Sequence, residues 1–255
     1  MPKLDLTTAK RIKVASGEVT RLKGVGFEWV KPPSESPLQQ AVIAAWDMQE
    51  ESGPLLPAKG GLEIPAFNSP GFTPNRFPPL GARDSASDAS QYFQSEDAAL
   101  TDLFSLNQEK TVRFWIEATN TDGVNRTIVA CNGGPRSSPT SGWFFATTQT
   151  DWRLRVVTSA GIFEVVVPGE PGPTRVEIYN DAANSRFVLR LSFLDVPAND
   201  SVTNLPYTGN PTLAPLVELS GNREGSYWGP LIIVPRALTT DERTADLTPR
   251  LYSQL

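Results

Sequence analysis

From Lys110 onward the apolar residues of this chain fall on every second position, the spacing of a strand with one face in a core and the other in water. Val112, Phe114 and Ile116 share a face and leave Arg113, Trp115 and Glu117 on the other. WRLRVV sends Trp152, Leu154 and Val156 inward with Arg153 and Arg155 outward, and FEVVV, 163 to 167, follows across a Ser-Ala-Gly turn as its hairpin partner. TRVEIY buries Val176 and Ile178 while exposing Arg175, Glu177 and Tyr179, and RFVLRLSF buries Phe187, Leu189, Leu191 and Phe193. Residues 44 to 53 and 227 to 242 bracket about 170 residues of such strand-and-turn sequence with no convincing long helix. One face in and one out, strand after strand, predicts an all-β fold: two antiparallel sheets packed as a sandwich over about residues 40 to 248.

Composition narrows the class. At 255 residues the chain can bury a full core as one sandwich, and its 23 Pro and 19 Gly suit a turn-rich fold. Nothing approaches the run of about 18 apolar residues that a membrane helix needs. The opening MPKLDLTTAKRIK has basic residues but no apolar stretch, which argues against a secretory leader and for synthesis in a cytoplasm. A single cysteine, Cys131, excludes an internal disulfide and multi-cysteine metal sites, and its setting in TIVAC reads as a small buried strand residue. With no histidine in the chain, Ser-His-Asp and Cys-His catalysis and His-ligated zinc are excluded. No sequence repeat of 20 to 50 residues is seen, which disfavours a propeller or solenoid.

The first 36 residues differ from the rest. Up to Lys31 they hold seven basic and three acidic residues, whereas the whole chain carries 23 basic and 28 acidic ones, so a positive arm precedes an acidic body. IKVASGEVTRLKG reads as a β-hairpin with Ile12 and Val14 facing Val19 and Leu22 across a Ser-Gly turn. An isolated hairpin is marginal in water, so this arm is expected to attach to a partner through those four residues. KPPSESP, 31 to 37, is a stiff linker, which places the boundary between an arm at 1–36 and a main domain at 37–255. Residues 54 to 80, with seven Pro and with Phe67, Phe72 and Phe77 interspersed, predict an ordered irregular excursion. Residues 195 to 215 read as a long loop, and TTDERTADL, 239 to 247, as a short helix capped by Thr239 or Thr240.

Three kinds of side chain are candidates for chemistry. Arg153, Arg155, Arg175 and Arg190 with Tyr179 lie on outward positions of central strands, where guanidinium forks could pair bidentately with the carboxylates or sulfates of an acidic polysaccharide. The plainer reading is a solvated sheet face carrying cross-strand pairs with Glu164 and Glu177. Trp228, beside a polar turn, and Tyr207, in the long loop, are candidate exposed rings against which a sugar could stack, while Trp143 and Trp152 fall on core faces. Glycoside hydrolysis needs two carboxylates roughly 5 to 10 Å apart, and no strand carries an E-x-D-x-x-E-like arrangement, so the expectation is a protein without catalytic residues. No metal site is assigned. Calcium is the one cofactor for which oxygen ligands cluster in turns, at Asp47, Glu50, Glu51, Asp195, Asn199 and Asp200, against the plainer reading of solvated acids. The acidic body and the absence of a stacking platform argue against nucleic acid.

AAWDMQEESG, SQYFQSEDAALTDLFSLNQEKTVRFWIE, GWFFATT and YWGPLIIVPRALTTDE together resemble LamG-like, concanavalin A-type jelly rolls, respectively their first strand and Glu-rich turn, an edge strand and strand pair, a Gly-Trp strand, and the final strand with its acid-rich exit. The likeness runs from near Leu38 to near Thr248. It implies a lectin-like jelly roll of the kind found on bacteriophage and gene-transfer-agent-like fibres and spikes, where such domains bind host surface polysaccharide. The implied protein sits on the particle surface, held to other virion proteins by its arm, without membrane insertion and with homo-oligomerisation left open. Two alternatives stand beside it: a purely structural virion decoration protein, and a concanavalin A-like glycoside hydrolase.

Overall fold

The computed structural model describes residues 35–84, 91–118, 126–133, 139–147, 151–169, 172–193, 201–220, 226–245 and 248–255, together with the backbone of four short strands between residues 12 and 28. The chain forms two compact units, Met1–Gln40 and Ala41–Leu255.

The first unit holds two hairpins where the sequence suggested one. β1 (Ile12–Val14) pairs with β2 (Gly17–Val19), and Ile12 stands opposite Val19 as expected. β3 (Arg21–Lys23) pairs with β4 (Gly26–Glu28), which sets Leu22 opposite Phe27, not against Ile12 or Val14. In the sequence, the glycines of LKGVG were the available sign of a second reversal.

A short helix α1 (Pro37–Ala41) precedes the strands of the second unit. These are β5 (Ala44–Trp46), β6 (Pro57–Lys59), β7 (Ala66–Phe67), β8 (Gly71–Phe77), β9 (Leu80–Asp84) and β10 (Tyr92–Ser95). After helix α2 (Ala98–Phe104) come β11 (Thr111–Ala118), β12 (Arg126–Gly133), β13 (Ser141–Thr147), β14 (Asp151–Thr158) and β15 (Gly161–Pro168). β16 (Thr174–Asp181), β17 (Arg186–Phe193), β18 (Ser201–Pro206), β19 (Val217–Ser220), β20 (Ser226–Val234) and helix α3 (Thr240–Ala245) complete the order.

Two antiparallel sheets result. One runs β15-β14-β13-β12-β19-β10-β7; the other runs β18-β17-β16-β11-β20-β5-β6, with the β8 and β9 hairpin joined to it where β9 pairs with β20. Their inner faces share one core, in which Val129, Phe145, Leu154 and Leu219 from the first meet Phe114, Val176, Leu189 and Ile233 from the second. Phe114 and Phe145 meet edge to face across it at 5.8 Å. Val112, Ile116, Trp152, Val156, Ile178, Phe187, Leu191 and Phe193 are all buried as the alternation predicted, and so is Cys131.

α2 falls in a stretch that the family likeness assigned to strands. Asp97 explains it: its Oδ1 accepts from the amides of Ala99 at 2.8 Å and Leu100 at 3.2 Å, satisfying two donors that a helix start leaves unpaired. Leu100 and Phe104 then enter the core, and Trp143 Nε1 donates to the Phe104 carbonyl at 2.8 Å. α3 is the expected short helix, with Thr239 as its cap: Thr239 Oγ1 accepts from Glu242 N while Glu242 Oε2 accepts from Thr239 N.

The largest departure concerns the outer face of the second sheet, which is roofed. Phe77, Leu80 and Ala82 of the β8 and β9 hairpin cover Trp115, and α3 covers β16. Gly229 lets this roof approach, since a Cβ there would lie 2.9 Å from Trp115 Cβ and 3.0 Å from the Phe77 ring. The expected loop at 195–215 also contains a strand, because β18 pairs with β17 from Pro206 opposite Arg186 to Ser201 opposite Leu191.

Candidate functional site

The four arginines do not share a face. Leu154 and Val156 of β14 and Val176 and Ile178 of β16 all point into the common core, so the intervening arginines point outward from opposite sheets. Arg153 and Arg155 stand on the outside of the first sheet; Arg175 and Arg190 stand on the outside of the second.

On the second sheet the roof removes most of the expected site. Arg175 is only 2% exposed, donating Nη1 to the Arg243 carbonyl at 3.0 Å and Nη2 to Ser192 Oγ at 2.9 Å. Glu177 beside it is buried as well, accepting from Arg243 Nε at 2.9 Å and Nη2 at 2.7 Å. Arg190 is half-buried between its cross-strand neighbours Glu177 and Val202. Tyr179 donates its hydroxyl to Glu109, and burial, with that acceptor adding to it, raises its pKa.

Neither expected ring is exposed. Trp228 is 1% exposed and packs edge to face on Phe93 at 6.0 Å, because β20 lies between β11 on one side and β5 and β9 on the other and is covered on both faces. Tyr207 is 8% exposed, with its ring 4.8 Å from Phe187 and its hydroxyl donating to Asn180 Oδ1 at 3.1 Å.

What remains open is the flank formed by β14 and β15. Arg155 stands opposite Glu164 and Arg153 opposite Val166, so the register brings both guanidinium groups to one carboxylate. Arg155 Nε donates to Glu164 Oε2 at 2.6 Å and Arg153 Nη1 reaches the same oxygen at 3.4 Å. The three side chains are 19 to 27% exposed, so two guanidinium groups share the Glu164 carboxylate at a solvent-facing position. Beneath it the Arg155 guanidinium lies over the Phe144 ring, 5.1 Å from its centroid, which fixes the plane of the fork. Ile162 and Val166 flank it as exposed apolar positions on the same face. Phe144 and the exposed pair escaped the sequence reading; the outward place of Phe144 was available from its neighbour Trp143 being inward.

The carboxylates do not form a hydrolytic pair: Glu164 and Glu177 lie on opposite outer faces, and Glu177 is held by Arg243. Among the described residues no three Asp, Glu or Cys side chains gather as metal ligands. Asp47 Oδ1 instead accepts from Tyr252 N at 2.6 Å and Glu50 Oε1 from Leu56 N at 2.8 Å; Asp195, Asn199 and Asp200 lie outside the described residues. Burial, with Glu50 adding to it, raises the Asp47 pKa against the Tyr252 amide that lowers it. Cys131 is no nucleophile, since burial pushes its thiol up to about 12 and Sγ donates to the Thr101 carbonyl at 3.4 Å. Among the described residues no helix is long and apolar enough to cross a membrane.

Neither a protein-family model nor a curated protein matches the sequence. Solved structures with the same fold do. The binding domain of Paraclostridial Mosquitocidal Protein 1 superposes with a TM-score of 0.62 at 11% identity, over 82% of this chain and 52% of that one. A structure of botulinum neurotoxin type C, a toxin whose cell uptake depends on two ganglioside molecules, gives 0.59 at 9% identity over 82% and 51%. The serotype D ligand binding domain, solved with N-acetylneuraminic acid, gives 0.58 at 11% identity over 82% and 51%. The chain spans about half the length of the solved chains it matches, and at these identities the likeness establishes a shared β-sandwich fold.

Proposed function

We propose that this sandwich is a non-enzymatic recognition module that binds an acidic glycan through Arg153 and Arg155, presented on the surface of a phage or phage-like particle to which the N-terminal arm attaches it. The observation that carries the reading is the arginine cluster on β14 and β15, in which Phe144 orients one of two guanidinium forks beside exposed apolar positions. A carboxylate or sulfate arriving there meets planar donors in fixed orientation, the geometry in which arginine outperforms lysine. The acidic balance of the whole chain repels such a polymer elsewhere and orients it. The structural neighbours supply analogy: one binding domain was solved with N-acetylneuraminic acid, a carboxylated sugar, and another toxin depends on gangliosides. The LamG-like sequence motifs supply the particle setting.

Exposed ion pairs contribute about 0.2 to 1 kcal/mol each, so the two arginines together provide at most about 2 kcal/mol. Useful affinity then requires several copies acting together, as a particle surface provides. The test is retention on immobilised polysialic acid and polygalacturonate of wild type and an Arg153→Glu, Arg155→Glu double variant, each displayed as an oligomer at low salt. The expected result is weaker binding by the variant, by up to roughly thirtyfold for each copy. Wild-type retention should also fall on raising salt from about 0.1 M to 1 M, as the Debye length drops from ~10 to ~3 Å. Equal retention of the two proteins would sink the proposal and favour a decoration role.

A further inference from the structure

A second feature of the first sheet's outer face has no role in the acidic site. β10 pairs with β7 so that Tyr92 stands opposite Phe67, and the two rings stack at 4.9 Å with only 11° between their planes. Phe67 is 39% exposed although it belongs to a sheet with a well-filled core. The alternation explains why: Phe93, the next residue, takes the inward position, which leaves Tyr92 and Gln94 outward. β7 is only two residues long and forms the sheet edge; Asn68 and Ser69, both with φ near +54°, then turn the chain. Gln91 Nε2 donates to the Ser69 carbonyl at 3.2 Å and holds that turn. Gln94 is outward two residues along from Tyr92, anchored through its backbone amide to the Pro65 carbonyl at 3.0 Å. Among the described residues neither the Tyr92 hydroxyl nor the Gln94 side-chain amide has a hydrogen-bond partner.

We infer that Phe67, Tyr92 and Gln94 form a subsite for a neutral pyranose, separate from the arginine flank. The C–H face of a sugar ring is apolar and packs on an aromatic plane, while its equatorial hydroxyls need partners at the rim. The stacked pair, held by the β7 and β10 register, offers an outer ring face for packing, and the Tyr92 phenol and Gln94 amide supply donors and acceptors beside it. Phe67, Tyr92 and Gln94 carry no charge, and Glu218, which stands opposite Gln94 on the same face, is only 3% exposed, so the ligand selected is uncharged. The subsite lies four strand intervals from β14 in the same sheet, about 19 Å away, too far for one monosaccharide to touch both.

The experiment is titration calorimetry and saturation-transfer NMR of wild type with cellohexaose, maltohexaose and chitohexaose, beside Phe67→Ala, Tyr92→Ala and Gln94→Ala. Thermal melts within a few degrees of wild type confirm that the variants fold, and Phe67→Leu serves as a second variant that keeps apolar bulk but removes the ring. One hexasaccharide should bind wild type weakly, with each aromatic truncation reducing affinity by roughly fivefold, the scale of one aromatic contact. Phe67→Leu should behave like Phe67→Ala. The Arg153→Glu, Arg155→Glu variant should bind the neutral sugar as wild type does, so failure here and failure of the acidic site are separately visible. Absence of binding by all three sugars, or binding that survives Phe67→Ala and Tyr92→Ala, would overturn the inference.

Discussion

At the scale of single residues, the charged groups of this protein divide by burial, and magnitude decides which matter for stability. Arg153, Arg155 and Glu164 remain wet enough that each contact contributes under about 1 kcal/mol. Glu177 is different, because its side chain is only 3% exposed and Arg243 is its bidentate partner. Removing one member of a buried pair leaves the other desolvated and uncompensated, which costs about 3 to 5 kcal/mol. Arg190, the cross-strand neighbour of Glu177, offsets part of that charge, so Arg243→Ala should lower unfolding free energy by about 3 kcal/mol. Urea denaturation measures it, with Arg153→Ala as the control expected to change stability by less than about 1 kcal/mol. A loss below 1 kcal/mol for Arg243→Ala would show that the pair is solvated in solution.

At the scale of elements, α3 is fastened by charge as well as by its cap. Arg236 donates to both oxygens of Glu242, at 2.8 and 2.6 Å, and this bond holds the Glu242 carboxyl at about 2 against an ordinary 4.5. A depressed carboxylate pKa contributes stability that is complete above the unfolded value and disappears as pH falls through the folded one. The stability difference between wild type and Glu242→Gln should therefore be constant above about pH 5 and shrink toward zero as pH approaches 2. Denaturation midpoints of both proteins across that range check it, and a difference independent of pH would refute the assignment. The elements themselves were legible to different degrees. The inward residues of β11, β14, β16 and β17 follow from a period of two, because burial on one face is a local property of the strand. The fate of the outward residues is not local. Arg175 and Glu177 point outward as their positions require, yet hairpin and helix elements far away in sequence roof that face. Alternation also fails for β20, where YWGPLIIV carries a nearly continuous apolar run; such a run is itself the mark of a strand covered on both sides, and it was the available sign that Trp228 is buried. For the candidate site, the sequence placed Arg153 and Arg155 outward but had no means of separating them from Arg175 and Arg190, since sheet membership is set by pairing partners and not by pattern.

At the scale of the whole molecule, the second unit contains both sheets and the core between them, so residues 37–255 alone should fold, with wild-type near-UV circular dichroism and a single cooperative melt. A molten far-UV-only signal from that fragment would show that the arm is needed for packing. The strand order has a further consequence for how such a chain is made. β19 sits between β12 and β10, and β20 sits between β11 and the strands β5 and β9, so the last two strands to emerge from a ribosome occupy the middle of their sheets. Until residues 217 to 234 are available, each sheet exists as two halves with unpaired edges at its centre. At about 5 to 20 residues per second, the nascent chain carries those sticky edges for seconds, a window in which neighbouring chains on one message can pair by mistake. Yield of soluble protein should therefore depend on translation spacing and chaperone supply far more than the stability of the finished sandwich would suggest.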